Sequence, residues 1–174
     1  MREAIRKLEL EGLVVMVPRK GAYVAGISLR DVREVFEIRI ALETLAAKLA
    51  AERITKDELE VMEVQLAREF EETEASNVPS IVAIDTDFHD LLYKASRNQK
   101  LMDMISNLRD QLHRFRSASL ASPGRGKIAL EEHRMIFDAL RTREVEKVGN
   151  LAKLHIERAE EAFMKSIDKN DFTD

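Results

Sequence analysis

The sequence has no cysteine and no tryptophan, and it has few residues that interrupt helices. Without cysteine, the chain can form neither a disulfide nor a thiolate-ligated metal site. Its three prolines and six glycines leave long stretches of helix-compatible sequence. No stretch approaches the roughly 20 apolar residues that a membrane span requires. The N-terminal MREAIRKLELEG also lacks the apolar core of a signal peptide. We therefore expect a cytoplasmic protein that does not bind membranes.

What is present is a helix-forming composition with an uneven charge. Hydrophobic residues make up 45% and charged residues 34% of the chain, and the net charge is −4. Residues 1–26 carry five Arg or Lys against three Glu, so this end is basic and the remainder is acidic. Such an asymmetry indicates a polyanion contact at the basic end. The cations expected there are Arg2, Arg6, Arg19 and Lys20.

The order of patterns predicts a short N-terminal unit followed by helices only. Residues 1–11 form a helical pattern, and two β-rich runs at 13–17 and 22–26 flank a turn that begins at Pro18, which predicts a hairpin. From Ser28 onward, apolar residues recur at helical spacing in six segments with short connections. The second segment opens with a capping box at Thr55 and turns Leu59, Met62, Leu66 and Phe70 inward. The sequence thus predicts an all-α fold, an antiparallel six-helix bundle over 28–174 after a unit at 1–27.

Four polar residues lie in the middle of otherwise apolar helix faces. Asp85 and His89 are four residues apart in the third segment, His133 is in the fifth, and His155 is in the sixth. Taken singly, each histidine could be a core residue with one hydrogen-bonding partner. Together they could bind one divalent cation, because buried imidazole and carboxylate groups need partners and suit Zn, Ni or Mn.

Two other polar residues have less certain surroundings. His113 lies beside the apolar stripe of its helix, which places it at a rim or on the surface. Arg39 lies among apolar residues on an inward face. Its guanidinium either binds the carboxylate of a ligand or forms an internal salt bridge, for example with Glu43.

Several strings in the chain resemble the GntR family of bacterial transcription regulators, in particular the FadR-type subfamily with an all-helical FCD effector-binding domain. The N-terminal strings are REAIRKLELEGLVVMVPRKGAYV and LRDVREVFEIRIALE. The later ones are D-x-x-F-H at 85–89, Ser96-Arg-Asn98 before Leu101, Glu132-His133 followed by Ile136, and His155-Ile156. Together they cover essentially the whole chain.

The resemblance implies specific roles for the residues singled out above. Asp85, His89, His133 and His155 take the places of metal ligands, and Arg39 points into an effector cavity. A cation and Arg39 would select a small organic acid, with Arg109 and His113 as further contacts. The resemblance also implies a homodimer, operator DNA as a partner, and regulation rather than catalysis.

The N-terminal end departs from the family pattern. The winged helix-turn-helix of the family has helices before its recognition helix, whereas this sequence begins inside that helix and keeps only its end and the wing. A late start codon, a cut sequence and a natural fragment would each explain this. Helix-turn-helix docking requires the missing part, so we expect weak or no binding of operator DNA by residues 1–174 alone.

A metal-dependent phosphohydrolase is the alternative from another class, because His89-Asp90 is an adjacent histidine–aspartate pair. Asp90 is, however, turned roughly 100° away from His89 on a helix. A catalytic metal also needs a positioned general base, and we expect no inward carboxylate near the histidines other than Asp85. The sequence therefore favours a regulator over an enzyme.

Overall fold

The computed structural model describes residues 29–166 without a gap, together with residues 3, 5, 6, 14–18 and 21–24. Glu3, Ile5 and Arg6 are helical. Strand β1 (Val14–Val17) pairs antiparallel with β2 (Gly21–Val24), so that Val14 lies opposite Val24. Gly21 has φ of 103°, a left-handed conformation that glycine adopts without strain. The predicted hairpin is therefore confirmed.

Residues 29–166 form seven helices with short connections, which confirms the predicted all-α class. In chain order the helices are α1 (Leu29–Arg53), α2 (Lys56–Glu74), α3 (Val78–Ala95), α4 (Gln99–Ser106), α5 (Arg109–Leu120), α6 (Arg125–Arg141) and α7 (Val145–Ser166). Residues 35–166 belong to one compact unit and the hairpin to another. None of the helices in the described part of the chain is long and apolar enough to cross a membrane.

The fourth helix that the sequence predicts is divided into two helices in the structure. The fourth amphipathic segment divides into α4 and α5 at Asn107 and Leu108, where the Leu108 amide donates to Ile105 O at 3.0 Å in a tighter turn. Ser106 and Asn107 favour such a break, because their short polar side chains compete with helical hydrogen bonding.

Local capping fixes where several helices begin. Thr55 and Glu58 form the predicted capping box: the Glu58 amide donates to Thr55 Oγ1 at 3.2 Å, and the Thr55 amide donates to Glu58 Oε2 at 3.0 Å. Asn98 Oδ1 accepts from the Leu101 amide at 3.2 Å and caps α4. Pro79 occupies the first turn of α3, where its missing amide hydrogen costs nothing.

The main core joins α1, α2, α3, α6 and α7 through small and aliphatic side chains. A smaller cluster of Ala46, Tyr93, Leu101, Ile105 and Leu112 packs α4 and α5 against α1 and α3. The inward prediction for Phe70 is wrong, because its ring is 46% exposed and lies 5.3 Å from the Arg134 guanidinium. The buried positions of α2 are instead Met62, Leu66, Glu69 and Thr73. This face places a carboxylate inside the bundle.

Candidate metal centre

The four predicted polar residues come together in the centre of the bundle. Asp85 and His89 lie one turn apart on α3, while α6 contributes His133 and α7 contributes His155. One potential ligand atom of each residue lies within 4.8 Å of those of the others. All four side chains are buried, with at most 3% of each residue exposed.

Each of the three imidazoles has a buried glutamate on its outer side. His133 Nδ1 lies 3.0 Å from both carboxylate oxygens of Glu69 on α2. His155 Nδ1 lies 2.7 Å from Glu132 Oε2, and His89 Nδ1 lies 2.9 Å from Glu43 Oε2. At His133 and His155 the Nδ1 atom is hydrogen-bonded to the carboxylate, so Nδ1 carries the proton and Nε2 keeps its lone pair. The contact of His89 Nδ1 with Glu43 lies outside hydrogen-bonding geometry.

The Nε2 sides of the rings face one another and Asp85. His89 Nε2 lies 3.2 Å from His155 Nε2, and His133 Nε2 is buried without a hydrogen-bonding partner. Asp85 Oδ1 lies 3.6 Å from His133 Nε2. His89 Nε2 and His155 Nε2 either share a proton or, where both keep their lone pairs, repel unless a positive charge lies between them. The donor set of three imidazole nitrogens and one carboxylate fits a divalent transition-metal ion.

The charges around the centre are nearly balanced. Among the described residues, four carboxylates are buried and so are three arginines. The carboxylates are Glu43, Glu69, Asp85 and Glu132, and the arginines are Arg39, Arg116 and Arg125. With neutral imidazoles, this set carries one net negative charge, which a cation at the centre would more than neutralise. The electrostatics therefore favour cation binding.

The carboxylates at the centre stay ionised despite their burial. Burial would raise the pKa of Asp85, but His89 and Arg116 outweigh it and hold the pKa below its usual range. Burial likewise opposes ionisation of Glu132, yet contacts with His155 and Arg125 lower its pKa to about 2.

Two of the imidazoles are poor bases in this environment. Burial lowers the pKa of His155 to about 3, and burial together with Arg116 lowers the pKa of His89. For His133, burial acts in the same direction, but the Glu69 carboxylate outweighs it and raises the pKa. His89 and His155 are consequently neutral at pH 7, which is the state that binds a metal.

The expectation that Asp85 is the only inward carboxylate near the histidines is wrong. Glu43, Glu69 and Glu132 are each at most 3% exposed and each contacts an imidazole. A signal for Glu69 was present in the sequence, since it stands three residues after Leu66 and four before Thr73 on the buried face of α2. These carboxylates face Nδ1 atoms, so they orient the rings rather than stand free as bases.

Arg39 forms the internal salt bridge, one of the two alternatives that the sequence left open. Its Nε lies 2.6 Å from Glu43 Oε1, so the internal salt bridge exists. The residue is only 1% exposed, and both terminal nitrogens of its guanidinium are buried without a hydrogen-bonding partner. A buried guanidinium with two unpaired donors is suited to a carboxylate ligand.

The remaining predicted site residues lie outside the metal centre. Arg109 and His113 line a cavity beside it, and His113 is exposed, as the helical pattern predicts. Asp90 pairs with Arg109 at 3.0 Å instead of joining the histidines, which removes the ligand that a phosphohydrolase would need. Arg6 is helical and exposed. Arg2, Arg19 and Lys20 lie outside the described residues.

Comparisons with known proteins agree with this architecture. The FCD domain family matches residues 34–158. The HTH-type transcriptional regulator YdhC of Bacillus subtilis is 32% identical, with 90% of this chain and 68% of YdhC covered. The HTH-type transcriptional repressor RspR of Escherichia coli is 31% identical over 93% of this chain and 71% of its own.

Solved structures support the same fold. The structure of Escherichia coli McbR/YncC superposes with a TM-score of 0.81 over 96% of this chain and 84% of its own, at 20% identity. Its low identity makes it a comparison of fold alone. The named relatives are transcriptional regulators rather than enzymes, as the sequence predicts. The chain belongs to the GntR family of transcriptional regulators and carries the FCD domain of its FadR-type members.

Proposed function

We propose that the helical part of this regulator, residues 28–174, binds one divalent metal ion and a small carboxylate effector. The metal ligands are Asp85, His89, His133 and His155, and the metal is Zn, Ni or Mn. Effector binding at this centre alters the DNA affinity of the regulator through the winged helix-turn-helix unit to which residues 1–27 belong.

One observation carries this proposal. Three buried glutamates face the Nδ1 atoms of three imidazoles at 2.7–3.0 Å. The Nε2 atoms of His89 and His133 lie 3.9 Å and 3.6 Å from Asp85, and Nε2 of His155 lies 3.2 Å from Nε2 of His89. Carboxylate–imidazole pairs of this kind orient metal-binding histidines in proteins and fix their tautomer. A core histidine that served only packing would not require a buried charge behind it, since burying a carboxylate is costly.

The effector chemistry follows from the cationic groups beside the centre. A bound divalent ion supplies positive charge and open coordination positions for a carboxylate. Arg39 adds two unpaired donors, because its Nε alone is engaged by Glu43. An acidic small molecule can satisfy these groups, whereas an amine would leave the guanidinium unpaired and add repulsion. We therefore expect small mono- or dicarboxylates as effectors, with Arg109 and His113 as outer contacts.

The basic N-terminal residues are the proposed DNA contacts, and the proposed assembly is a homodimer. Arg2, Arg6, Arg19 and Lys20 would contact phosphates of operator DNA, which makes binding dependent on salt concentration. We expect the chains to associate as homodimers, because symmetric dimers are the common form of such regulators. A strictly monomeric protein by light scattering would contradict this assembly.

The metal centre is tested by elemental analysis of purified protein. We expect close to one divalent ion per chain in the wild type and loss of this ion in His133→Ala. The matched control is His113→Ala, which removes a histidine outside the cluster and should keep the ion. Full metal occupancy in His133→Ala, or equal loss in both variants, would contradict the assignment. Folding of each variant is checked by circular dichroism.

A further inference from the structure

A cavity of about 410 Å³ lies between α3, α4 and α5, next to the metal centre. This volume falls within the range of small-molecule sites in proteins. Apolar side chains form one part of its lining, namely Met102, Ile105 and Leu112. Cationic side chains form another part, namely Lys94, Arg109 and Arg116. The cavity therefore combines an apolar surface with positive charge.

Arg116 connects this cavity with the metal centre. It lines the cavity, although only 6% of the residue is exposed. Its Nε lies 3.0 Å from Asp85 Oδ2, and its Nη2 donates to Tyr93 Oη at 3.0 Å. One guanidinium thus contacts a candidate metal ligand on one side and the cavity on the other.

The position of Arg116 couples cation binding at Asp85 to anion binding in the cavity. Without a cation, Asp85 is the counter-ion of Arg116. When Asp85 binds a cation, Arg116 shares that carboxylate with the cation and its positive charge is balanced less fully. The other carboxylate that acts on Arg116, Glu43, is already in contact with Arg39 and His89. Such a charge is costly in a buried site and is relieved by an anion on the cavity side. Cation binding and anion binding then favour each other, and this coupling is reciprocal.

The other charged residues of the cavity restrict which anions can bind in it. Arg109 is already paired with Asp90 at 3.0 Å, and Asp110 also lines the cavity. A second carboxylate on the ligand would meet these aspartates, whereas an apolar tail would meet Met102, Ile105 and Leu112. The lining therefore favours one negative charge at the Arg116 end and an apolar remainder.

We propose that this cavity binds a monocarboxylate with a short apolar chain, that Arg116 pairs with its carboxylate, and that Arg116 couples this binding to the cation at Asp85. The coupling rests on the metal centre proposed above. The chemical class of the ligand rests on the cavity itself.

The ligand class is tested by calorimetric titration of the zinc-loaded protein with acetate, butyrate, hexanoate and hexanamide. We expect affinity to rise along the carboxylate series by up to about fourfold per buried methylene. Hexanamide has the same chain without the charge and should bind at least tenfold more weakly than hexanoate. Equal affinity for hexanoate and hexanamide would overturn the proposal.

Variants test the role of Arg116 itself. Arg116→Gln should weaken hexanoate binding by about 10- to 100-fold, since a charged hydrogen-bonding partner is lost. Arg114→Gln is the control, because Arg114 is an exposed arginine on the same helix outside the cavity lining. If Arg116→Gln does not fold, Met102→Ala replaces it and should weaken hexanoate binding more than acetate binding. Wild-type affinity for hexanoate in Arg116→Gln, or in Met102→Ala, would refute the site.

The coupling is measured as zinc affinity with and without saturating hexanoate. Wild-type protein should bind zinc more tightly with hexanoate, and Arg116→Gln should lose most of this difference. Zinc binding that depends on His133 but is unaffected by hexanoate overturns this inference and leaves the metal centre intact. Hexanoate binding that depends on Arg116, in a protein that binds no zinc, contradicts the metal centre and the coupling to it.

Discussion

A buried carboxylate next to Nδ1 distinguishes the candidate metal-binding histidines from the exposed histidine of this protein. Glu69 places both oxygens 3.0 Å from His133 Nδ1, and both residues are fully buried. The pair fixes the ring so that Nε2 points at Asp85. His113 has the same side chain but an exposed position, and it lies outside the buried group of potential ligands. The environment of an imidazole, rather than its presence, separates a candidate ligand from a surface residue.

Removing the carboxylate behind His133 should weaken metal binding without removing a ligand. We expect Glu69→Ala to lower zinc affinity by about 10- to 100-fold, because the ring loses its orientation and its fixed tautomer. Glu69→Gln keeps a hydrogen-bonding group and should fall between Glu69→Ala and the wild type. Competition with a chromophoric chelator measures these affinities.

The control for this series is Glu63→Gln, an exposed glutamate on the same helix α2. It should bind zinc as the wild type does. Wild-type affinity in Glu69→Ala would mean that the ring needs no carboxylate support.

The metal-free protein should lose stability on acidification. His155 has its pKa lowered by burial from 6.5 to about 3. The unfolded chain therefore takes up a proton near pH 6.5 that the folded chain does not, so stability falls from about pH 6.5 toward pH 3. Glu132, with a pKa of about 2 through its contacts with His155 and Arg125 despite burial, adds a loss in the same direction below about pH 4.5.

Urea unfolding of chelator-treated protein at pH 7, 6, 5 and 4 tests this linkage. The raised pKa of His133 opposes the trend, because its burial is outweighed by Glu69. His155→Gln should reduce the fall between pH 6.5 and pH 5, and the lowered pKa of His89, caused by burial and Arg116, accounts for the part that remains. A midpoint that rises on acidification over this interval in the wild type would show that His133 dominates.

At the scale of elements, local patterns were predictable and distant pairings were not. The caps at Thr55 and Asn98 involve residues three positions apart, so the sequence shows them directly. The faces that carry Asp85, His89, His133 and His155 follow from helical periodicity. Glu69 and His133 are 64 residues apart, and only the packing of α2 against α6 brings them together. The division of α4 from α5 has a local signal in Ser106 and Asn107, but the apolar stripe continues across it and predicts a single helix.

Gly149 on α7 lies directly against the side chain of Lys48 on α1. A Cβ at Gly149 would collide with the side chain of Lys48, including Cγ at 2.8 Å. Lys48 also pairs with Glu146 at 2.7 Å across the same two helices. Gly149→Ala gains helix propensity of about 1 kcal/mol, but overpacking costs about 1–3 kcal/mol. We expect a net destabilisation in the wild-type background.

The same substitution should be stabilising when Lys48 is alanine, because the obstacle is gone and the propensity gain remains. A double-mutant cycle of Gly149→Ala and Lys48→Ala measures the difference, expected to be at least about 1 kcal/mol. Additive effects of the two substitutions would show that the Lys48 side chain, which is 33% exposed, moves aside without cost. The lost Lys48–Glu146 pair is largely exposed on the Glu146 side and contributes little.

At the scale of the whole molecule, buried charge links ligand binding to folding. Four carboxylates and three arginines are buried among the described residues, and several of their polar atoms have no hydrogen-bonding partner. Such groups cost free energy in the folded state until a ligand satisfies them. The proposed binding of a cation and an anion would satisfy these groups and so would stabilise the bundle, as expected of a ligand-responsive regulator.

Small carboxylates should therefore raise the melting temperature of the metal-loaded protein. At a concentration of 100 times Kd, a ligand stabilises the folded state by about 2.7 kcal/mol, which corresponds to roughly 5–10 °C for a chain of this size. Differential scanning fluorimetry with acetate, succinate, hexylamine and glucose measures the effect.

The carboxylate shift should disappear after chelation and shrink in Arg39→Lys, which keeps the charge but loses the paired donors of the guanidinium. Arg33→Lys, an exposed arginine on α1, should behave as the wild type. Stabilisation by hexylamine or glucose without stabilisation by carboxylates would refute the proposed effector class, because neither compound can satisfy the two unpaired nitrogens of Arg39 with a negative charge.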